Sequence, residues 1–292
     1  MTENELERHE VGGACQADDT AHADGVDMPG RAGDAHPPGV KICGITKMRE
    51  ADWVNAAGAD YAGFVFYEKS RRNVSMMDAI MIKRSLYPSV KSVAVTVSPT
   101  VEQLRQIEIA GFDILQVHNE LPLDVLRECR LPIWRAFNIA SLADAAGTGE
   151  GCGGTGACAA KREAGAGQPG ICEAADGAEC GRTQRQTEDG AMRAERTRLE
   201  DALIEAYVLD GAAFGGGKPF DWADGALAGQ LRALFGTKKL VLAGGLNAEN
   251  VAEGIRLFSP DVVDVSSGVE REWGSGKDEQ KIYEFVRKVR EG

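Results

Sequence analysis

Two side chains able to move protons each stand at the end of a short apolar run. The first is Cys43 in "KICGIT" (41–46). If that run is a strand, Lys41 and Cys43 share one face, because side chains alternate along a strand. A lysine aimed at a protein interior needs an acidic partner or a ligand. Cys43 taken alone reads either as a small buried hydrophobe or as a thiolate general base. The second is Asp210, which ends "YVLD" (207–210). It reads either as a loop or capping aspartate or as a general acid in a partly desolvated setting. A thiolate and a carboxylic acid facing one substrate would make an acid–base pair.

Other groups suit anions. "LAGGLNAENV" (242–251) places Gly244 and Gly245 between a strand and a helix start, and "DVSSGVE" (264–270) places Ser266, Ser267 and Gly268 after the next strand. Glycines let backbone N–H groups approach a phosphate, and a helix N-terminus adds a favourable dipole. Ordinary tight turns are the plainer reading. "GGGKPFDW" (215–222) is a third loop of this kind, with Gly217 in its glycine run and Asp221 as a helix cap. In "EKSRRNVS" (68–75), Arg71 and Arg72 form a solvated basic turn or hold a carboxylate bidentately. In "LQVHNE" (115–120), Gln116 and His118 share a strand face; the histidine is either structural or catalytic.

These groups need a scaffold, and the chain alternates short apolar runs with helical patterns. Strands are predicted at Val40–Cys43, Tyr61–Phe66, Ser92–Val97, Ile114–Val117, Ile133–Phe137, Tyr207–Asp210, Leu240–Ala243 and Val262–Ser266. Helical patterns follow near 47–57, 75–86, 100–110, 122–129, a broken stretch 141–205, then 221–235, 248–257 and 278–290. Ser75, Thr100 and Asn247 are predicted helix caps. Regular strand–helix alternation implies a parallel sheet with helical crossovers. A doubly wound open sheet competes, but eight units with loop motifs at the strand ends favour an α/β fold of the single (β/α)8 TIM-barrel type.

Two segments read as poorly ordered. Residues 1–37 form an acidic tail without aromatics. Residues 147–198 are a Gly/Ala-rich, low-complexity insertion between strands five and six, with Ile171 and Met192 as their only large aliphatic residues. Such stretches bury too little apolar surface to offset their conformational entropy. The barrel is therefore assigned to 38–292, interrupted by 147–198. "SLADAA" (141–146) and "RLEDALIEA" (198–206) both look helical, so the insertion breaks either the fifth helix or the loop into it.

Composition narrows the function. A net charge of −12 disfavours nonspecific nucleic-acid binding, and nine acids against two arginines in 1–37 carry more than half of it. Seven cysteines match no zinc spacing, and no secretory signal or membrane-length apolar run is present, so a disulfide framework is not expected and the cytoplasm is. Three of four histidines (His9, His22 and His36) lie in the tail. That leaves too few elsewhere for a multi-histidine metal site or a Ser–His pair as the main chemistry.

"KICGIT", "GFVFYEKSRRNVS" (63–75), "LAGGLNAENV" and "VDVSSGVE" (263–270) together resemble phosphoribosylanthranilate isomerase in order and spacing, over 38–146 and 199–292. The resemblance implies an Amadori rearrangement of N-(5-phosphoribosyl)anthranilate in tryptophan synthesis, with no cofactor and no metal. By the same resemblance Asp210 is the general acid at the ribose ring oxygen and Cys43 the base at C2. Arg72 holds the anthranilate carboxylate. Backbone around Gly217, Gly244, Gly245, Ser266, Ser267 and Gly268 cradles the phosphate. Lys41, Gln116, His118 and Asp264 complete the substrate site, and strand alternation pairs Asp264 with Lys41. A small-molecule substrate is then the only partner, in a monomer or homodimer. The other readings are a different phosphosugar barrel isomerase, and a barrel that binds a phosphoribosyl ligand without turnover.

Overall fold

The computed structural model of the chain describes residues 36–138, 178–210, 225–273 and 275–291. Eight parallel strands close into a barrel in chain order: β1 Gly39–Cys43, β2 Tyr61–Val65, β3 Lys91–Thr96, β4 Ile114–Val117, β5 Ile133–Asn138, β6 Ile204–Asp210, β7 Lys239–Leu242 and β8 Val262–Val265. β8 returns to pair with β1, which removes the open-sheet alternative. The described helices are α1 Met48–Ala57, α2 Met76–Lys83, α3 Val101–Ile109, α4 Leu123–Glu128, α5 Ala178–Leu203, α6 Gly225–Phe235, α7 Val251–Phe258 and α8 Glu279–Glu291. The barrel unit spans Pro37–Gly292. No described helix is long and apolar enough to cross a membrane.

The strands read as near-continuous apolar runs because both of their faces are covered. On β1, Val40 and Ile42 pack outward into the layer shared with the helices. Cys43 joins the barrel interior with Val93, Val95, Trp134, Ala136, Val208 and Val241. On the outside, α8 lays Ile282, Phe285, Val286 and Val289 against the sheet at helical spacing. Ser75 and Thr100 cap their helices as expected, accepting from the amides of Asp78 at 3.1 Å and Gln103 at 3.2 Å.

Three further aspartates close the end of the barrel where the strands begin. Asp60, Asp113 and Asp261 stand immediately before β2, β4 and β8. Their carboxylates accept the amides of Val40 (2.7 Å), Ser92 (2.7 Å) and Leu240 (2.8 Å) on the preceding strands. Their own amides donate back to the carbonyls of those residues. Each aspartate thus staples two neighbouring strands near their starts.

The structure departs from the sequence reading in three places. α5 begins at Ala178, inside the segment read as poorly ordered, because Ala, Arg, Glu and Gln are strong helix formers even without large aliphatic residues. α5 is tied to its neighbours by Arg127 Nη2–Glu195 Oε2 at 2.6 Å and by Arg196 Nη1 donating to Leu121 O at 2.9 Å. β6 starts at Ile204, three residues earlier than expected. Glu205 sits there in the strand, bonded to Lys239 Nζ at 2.6 Å, rather than in a helix. α7 starts at Val251 with Asn250 as its N-cap residue, while Asn247 Oδ1 accepts from Glu249 and Asn250 in the preceding turn. The acidic tail up to residue 35, and the insertion between 139 and 177, lie outside the described residues.

Candidate active site

The C-terminal ends of the strands surround a cleft of about 720 Å³. Its lining includes Cys43 from β1, Gln116 from β4, Asp210 from β6 and Asp264 from β8, with Arg71, Arg72, His118, Gly244, Gly245, Ser266 and Ser267 from the loops. Sequence reasoning singled out all of these. It missed Tyr67, Lys69, Ser70 and Asn119, which share the wall. Gly217, Asp221 and their loop lie outside the described residues.

Lys41 is buried and sits across from Asp264 in the β1–β8 register. Its Nζ donates to Asp264 Oδ2 at 2.6 Å, the pair that strand alternation predicts. Burial works against the ammonium, but Asp264 and then Cys43 outweigh it and hold the Lys41 pKa above the ordinary lysine value. Burial pushes the Cys43 thiol up. The Lys41 charge opposes that shift, Asp264 reinforces it, and Lys277 opposes it, with the balance still upward. Burial thus favours the Cys43 thiol, while the neighbouring Lys41 cation favours its thiolate.

A second cluster sits beside β1 and β8. Glu270 Oε1 accepts from Arg72 Nε at 2.5 Å, and its Oε2 accepts from Arg72 Nη2 at 3.3 Å and also from Arg71. Lys277, fully buried, reaches Glu270 Oε1 at 3.4 Å and Ser266 O at 3.0 Å. Burial opposes ionisation of Glu270, yet the Arg72 hydrogen bond and the charges of Lys277, Arg72 and Arg71 hold its carboxyl below the usual range. Burial pushes Lys277 down against the pull of Glu270 and Cys43. Nothing in the sequence marked Lys277 or Glu270 for this site. Lys277 lies in a loop without a motif, and Glu270 is the last letter of a run read for its glycine and serines.

On the β4 side the polar groups are neutral. Gln116 Nε2 lies 2.8 Å from His118 Nε2. Burial, then the charges of Lys41 and Arg135, lower His118 to about 4, so its ring is neutral near pH 7 and that nitrogen accepts from the amide. Two buried acceptors, Gln116 Oε1 and Asp264 Oδ1, make no hydrogen bond among the described residues. Buried polar atoms are rarely left so, and these belong to residues that line the cleft.

The two final loops bring backbone to the same cleft. Gly244 and Gly245 both take positive φ, 85° and 72°, a conformation open to glycine at little cost. Asn250 pins this turn, its Nδ2 donating to Gly245 O at 3.0 Å and its Oδ1 accepting from the Asn247 amide at 2.8 Å. Gly268 lies directly against the neighbouring loop, and a Cβ there would fall 2.0 Å from Leu246 O. The two loops therefore pack as one surface. Among the described residues, no three His, Cys, Asp or Glu side chains gather as a metal site requires.

Comparison with known proteins gives one consistent result. The family model described as N-(5'phosphoribosyl)anthranilate (PRA) isomerase matches residues 40–150 and 183–288. A relative named N-(5'-phosphoribosyl)anthranilate isomerase from Acetivibrio thermocellus is 31% identical over 263 residues, covering 86% of this chain and 95% of its own length. One of the same name from Streptococcus pneumoniae is 31% identical over 254 residues, covering 87% of this chain and 96% of its own. Among solved structures, phosphoribosyl anthranilate isomerase from Thermotoga maritima aligns with a TM-score of 0.60 at 29% identity, over 87% of this chain and 99% of its own. Another such isomerase, solved in complex with reduced 1-(o-carboxyphenylamino)-1-deoxyribulose 5-phosphate, aligns with a TM-score of 0.57 at 27% identity, over the same shares.

Proposed function

This chain belongs to the N-(5'-phosphoribosyl)anthranilate isomerase family, the isomerases of tryptophan biosynthesis, and from that premise we propose how its own residues carry out the rearrangement. The substrate phosphate rests on the backbone of Gly244, Gly245, Ser267 and Gly268, with Ser266 beside them. Arg72 holds the anthranilate carboxylate at the opposite end. The sugar then spans the cleft between Cys43 and Asp210.

Asp210 donates a proton to the ring oxygen as the C1–O bond breaks, and the anilino nitrogen lone pair forms the C1=N bond of a protonated Schiff base. Cys43, as thiolate, removes the proton from C2, and those C–H electrons make the C1=C2 double bond of an enolamine. Return of a proton to C1, with loss of the proton from the C2 hydroxyl, gives the C2 ketone of the product. Gln116 Oε1 and Asp264 Oδ1 accept from sugar hydroxyls, which is what their unmet hydrogen-bonding capacity calls for. Lys41 anchors Asp264 through its hydrogen bond and favours the Cys43 thiolate. His118, neutral, orients the Gln116 amide. The enzyme is cytoplasmic and acts on this small molecule as a monomer or homodimer.

The observation that carries the reading is the cleft itself: Cys43 and Asp210, from strands on opposite sides of the barrel, line it together with both glycine-bearing loops. The test is loss of substrate fluorescence catalysed by the wild type, Cys43→Ser and Asp210→Asn. Each variant is expected to fold normally and to lose about 10²–10⁴-fold in kcat, the usual contribution of a positioned proton-transfer group. Near-wild-type turnover in either variant would remove that residue from the mechanism.

A further inference from the structure

Arg72 can hold a carboxylate usefully only if its guanidinium is aimed, and the structure holds it from several directions. Its backbone amide donates to Ser70 Oγ at 3.1 Å. Its stem lies on Gly44, where a Cβ would fall 2.6 Å from Arg72 Cδ. Its Nε and one edge of Nη2 are taken by Glu270, at 2.5 and 3.3 Å. A guanidinium has a second bidentate edge, between Nη1 and the outer N–H of Nη2, and this differs from the edge Glu270 occupies. Arg72 can therefore serve two carboxylates at once, one from the protein and one from a ligand.

The charges point the same way. One carboxylate, Glu270, meets three cations, Arg71, Arg72 and Lys277. Arg72 and Glu270 are each only 13% exposed and Lys277 is fully buried. Arg71 is 72% exposed, but Arg72 and Lys277 against Glu270 still leave one positive charge in surplus in the dry part of the cluster, which is costly unless a ligand supplies an anion. The Lys277 ammonium also reaches Glu270 Oε1 at 3.4 Å, so the carboxylate that steers Arg72 is itself held.

We propose that Glu270 is the positioning residue for recognition of the substrate's aromatic carboxylate, because by occupying the Nε edge of Arg72 it turns the other edge of the guanidinium toward the cleft. The proposal rests on the carboxylate reading of Arg72 made above.

The test is calorimetric titration with two ligands, reduced 1-(o-carboxyphenylamino)-1-deoxyribulose 5-phosphate and its phenylamino counterpart lacking the carboxylate. The wild type is expected to prefer the carboxylate ligand. Glu270→Gln is expected to lose about tenfold in affinity for the carboxylate ligand, the scale of one charge-assisted contact, while binding the other ligand nearly as before. In kinetics the loss appears in KM more than in kcat. Equal weakening toward both ligands would show a merely structural role and overturn the proposal, as would unchanged discrimination. If Arg72→Ala leaves the wild-type preference for the carboxylate ligand intact, the Arg72 reading fails first and this inference with it. Should Glu270→Gln fold poorly because Lys277 is left unpaired, the Glu270→Gln, Lys277→Met double variant removes both charges and reads the same discrimination.

Discussion

The two ends of the barrel use carboxylates in opposite ways. At the end where strands begin, Asp60, Asp113 and Asp261 each accept the amide of a neighbouring strand's second residue, and Glu205 is matched by Lys239. At the end where strands finish, Glu270 is outnumbered by three cations, and Asp264 has one oxygen on Lys41 and one without a partner among the described residues. A polar group satisfied inside the protein adds to stability, whereas one left short is poised for a ligand. The fold is thus held at one end and receptive at the other, the division expected of this architecture.

If that division is real, a change at the receptive end should cost function first. Gly268→Ala is the sharpest case, because the added Cβ would meet Leu246 O at 2.0 Å and force apart the two loops proposed to hold the phosphate. KM for the phosphorylated substrate is expected to rise about 100-fold, the loss of two or more backbone contacts to an anion. A variant with wild-type KM would show that the Ser267–Gly268 turn does not touch the phosphate.

The opposite end makes the converse case. Asp113 Oδ2 accepts both the amide and the hydroxyl of Ser92, at 2.7 and 2.6 Å. Asp113→Ala is expected to lower unfolding free energy by about 1–3 kcal/mol, the cost of leaving a strand's donors unmet. Its kcat/KM should stay at the wild-type value. A variant with normal stability and damaged kinetics would break the comparison.

Much of this plan was legible in the sequence, for a physical reason. Strands buried on both faces write themselves as apolar runs, and a side chain such as Cys43 or Asp210 that ends one points at the mouth by alternation alone. The pairing of Lys41 with Asp264 followed from the same period. The local turn chemistry of Ser75 and Thr100 was equally readable. Lys277 and Glu270 were hidden because their meaning comes from β1, β2 and β8 meeting in space. The strand-stapling aspartates did leave a trace, an Asp immediately before each of three apolar runs, but one aspartate before a strand is indistinguishable from a loop residue until the repeat is noticed. α5 was underestimated because a search for core residues overlooks a helix made of Ala, Arg and Glu.

The smallest effect tests whether the receptive end also taxes the fold. His118 is lowered from the ordinary 6.5 to about 4, first by burial and then by Lys41 and Arg135, so the folded protein resists its protonation. The unfolded chain takes up that proton near the ordinary value. Stability is therefore complete above about pH 6.5 and declines as the pH falls toward 4. Because His118 keeps part of its surface in the cleft, the loss is set at about 1–2 kcal/mol, below the full linkage value. Glu270 and Glu205, whose carboxyls are held below their usual range, act at lower pH than the histidine, whose effect is read between about pH 6.5 and 4.5. Urea midpoints measured across that interval should fall for the wild type and stay flatter for His118→Asn. Parallel curves for the two proteins would mean that the β4 side of the mouth imposes no such tax, and that the contrast between the two ends lies in the Glu270 cluster alone.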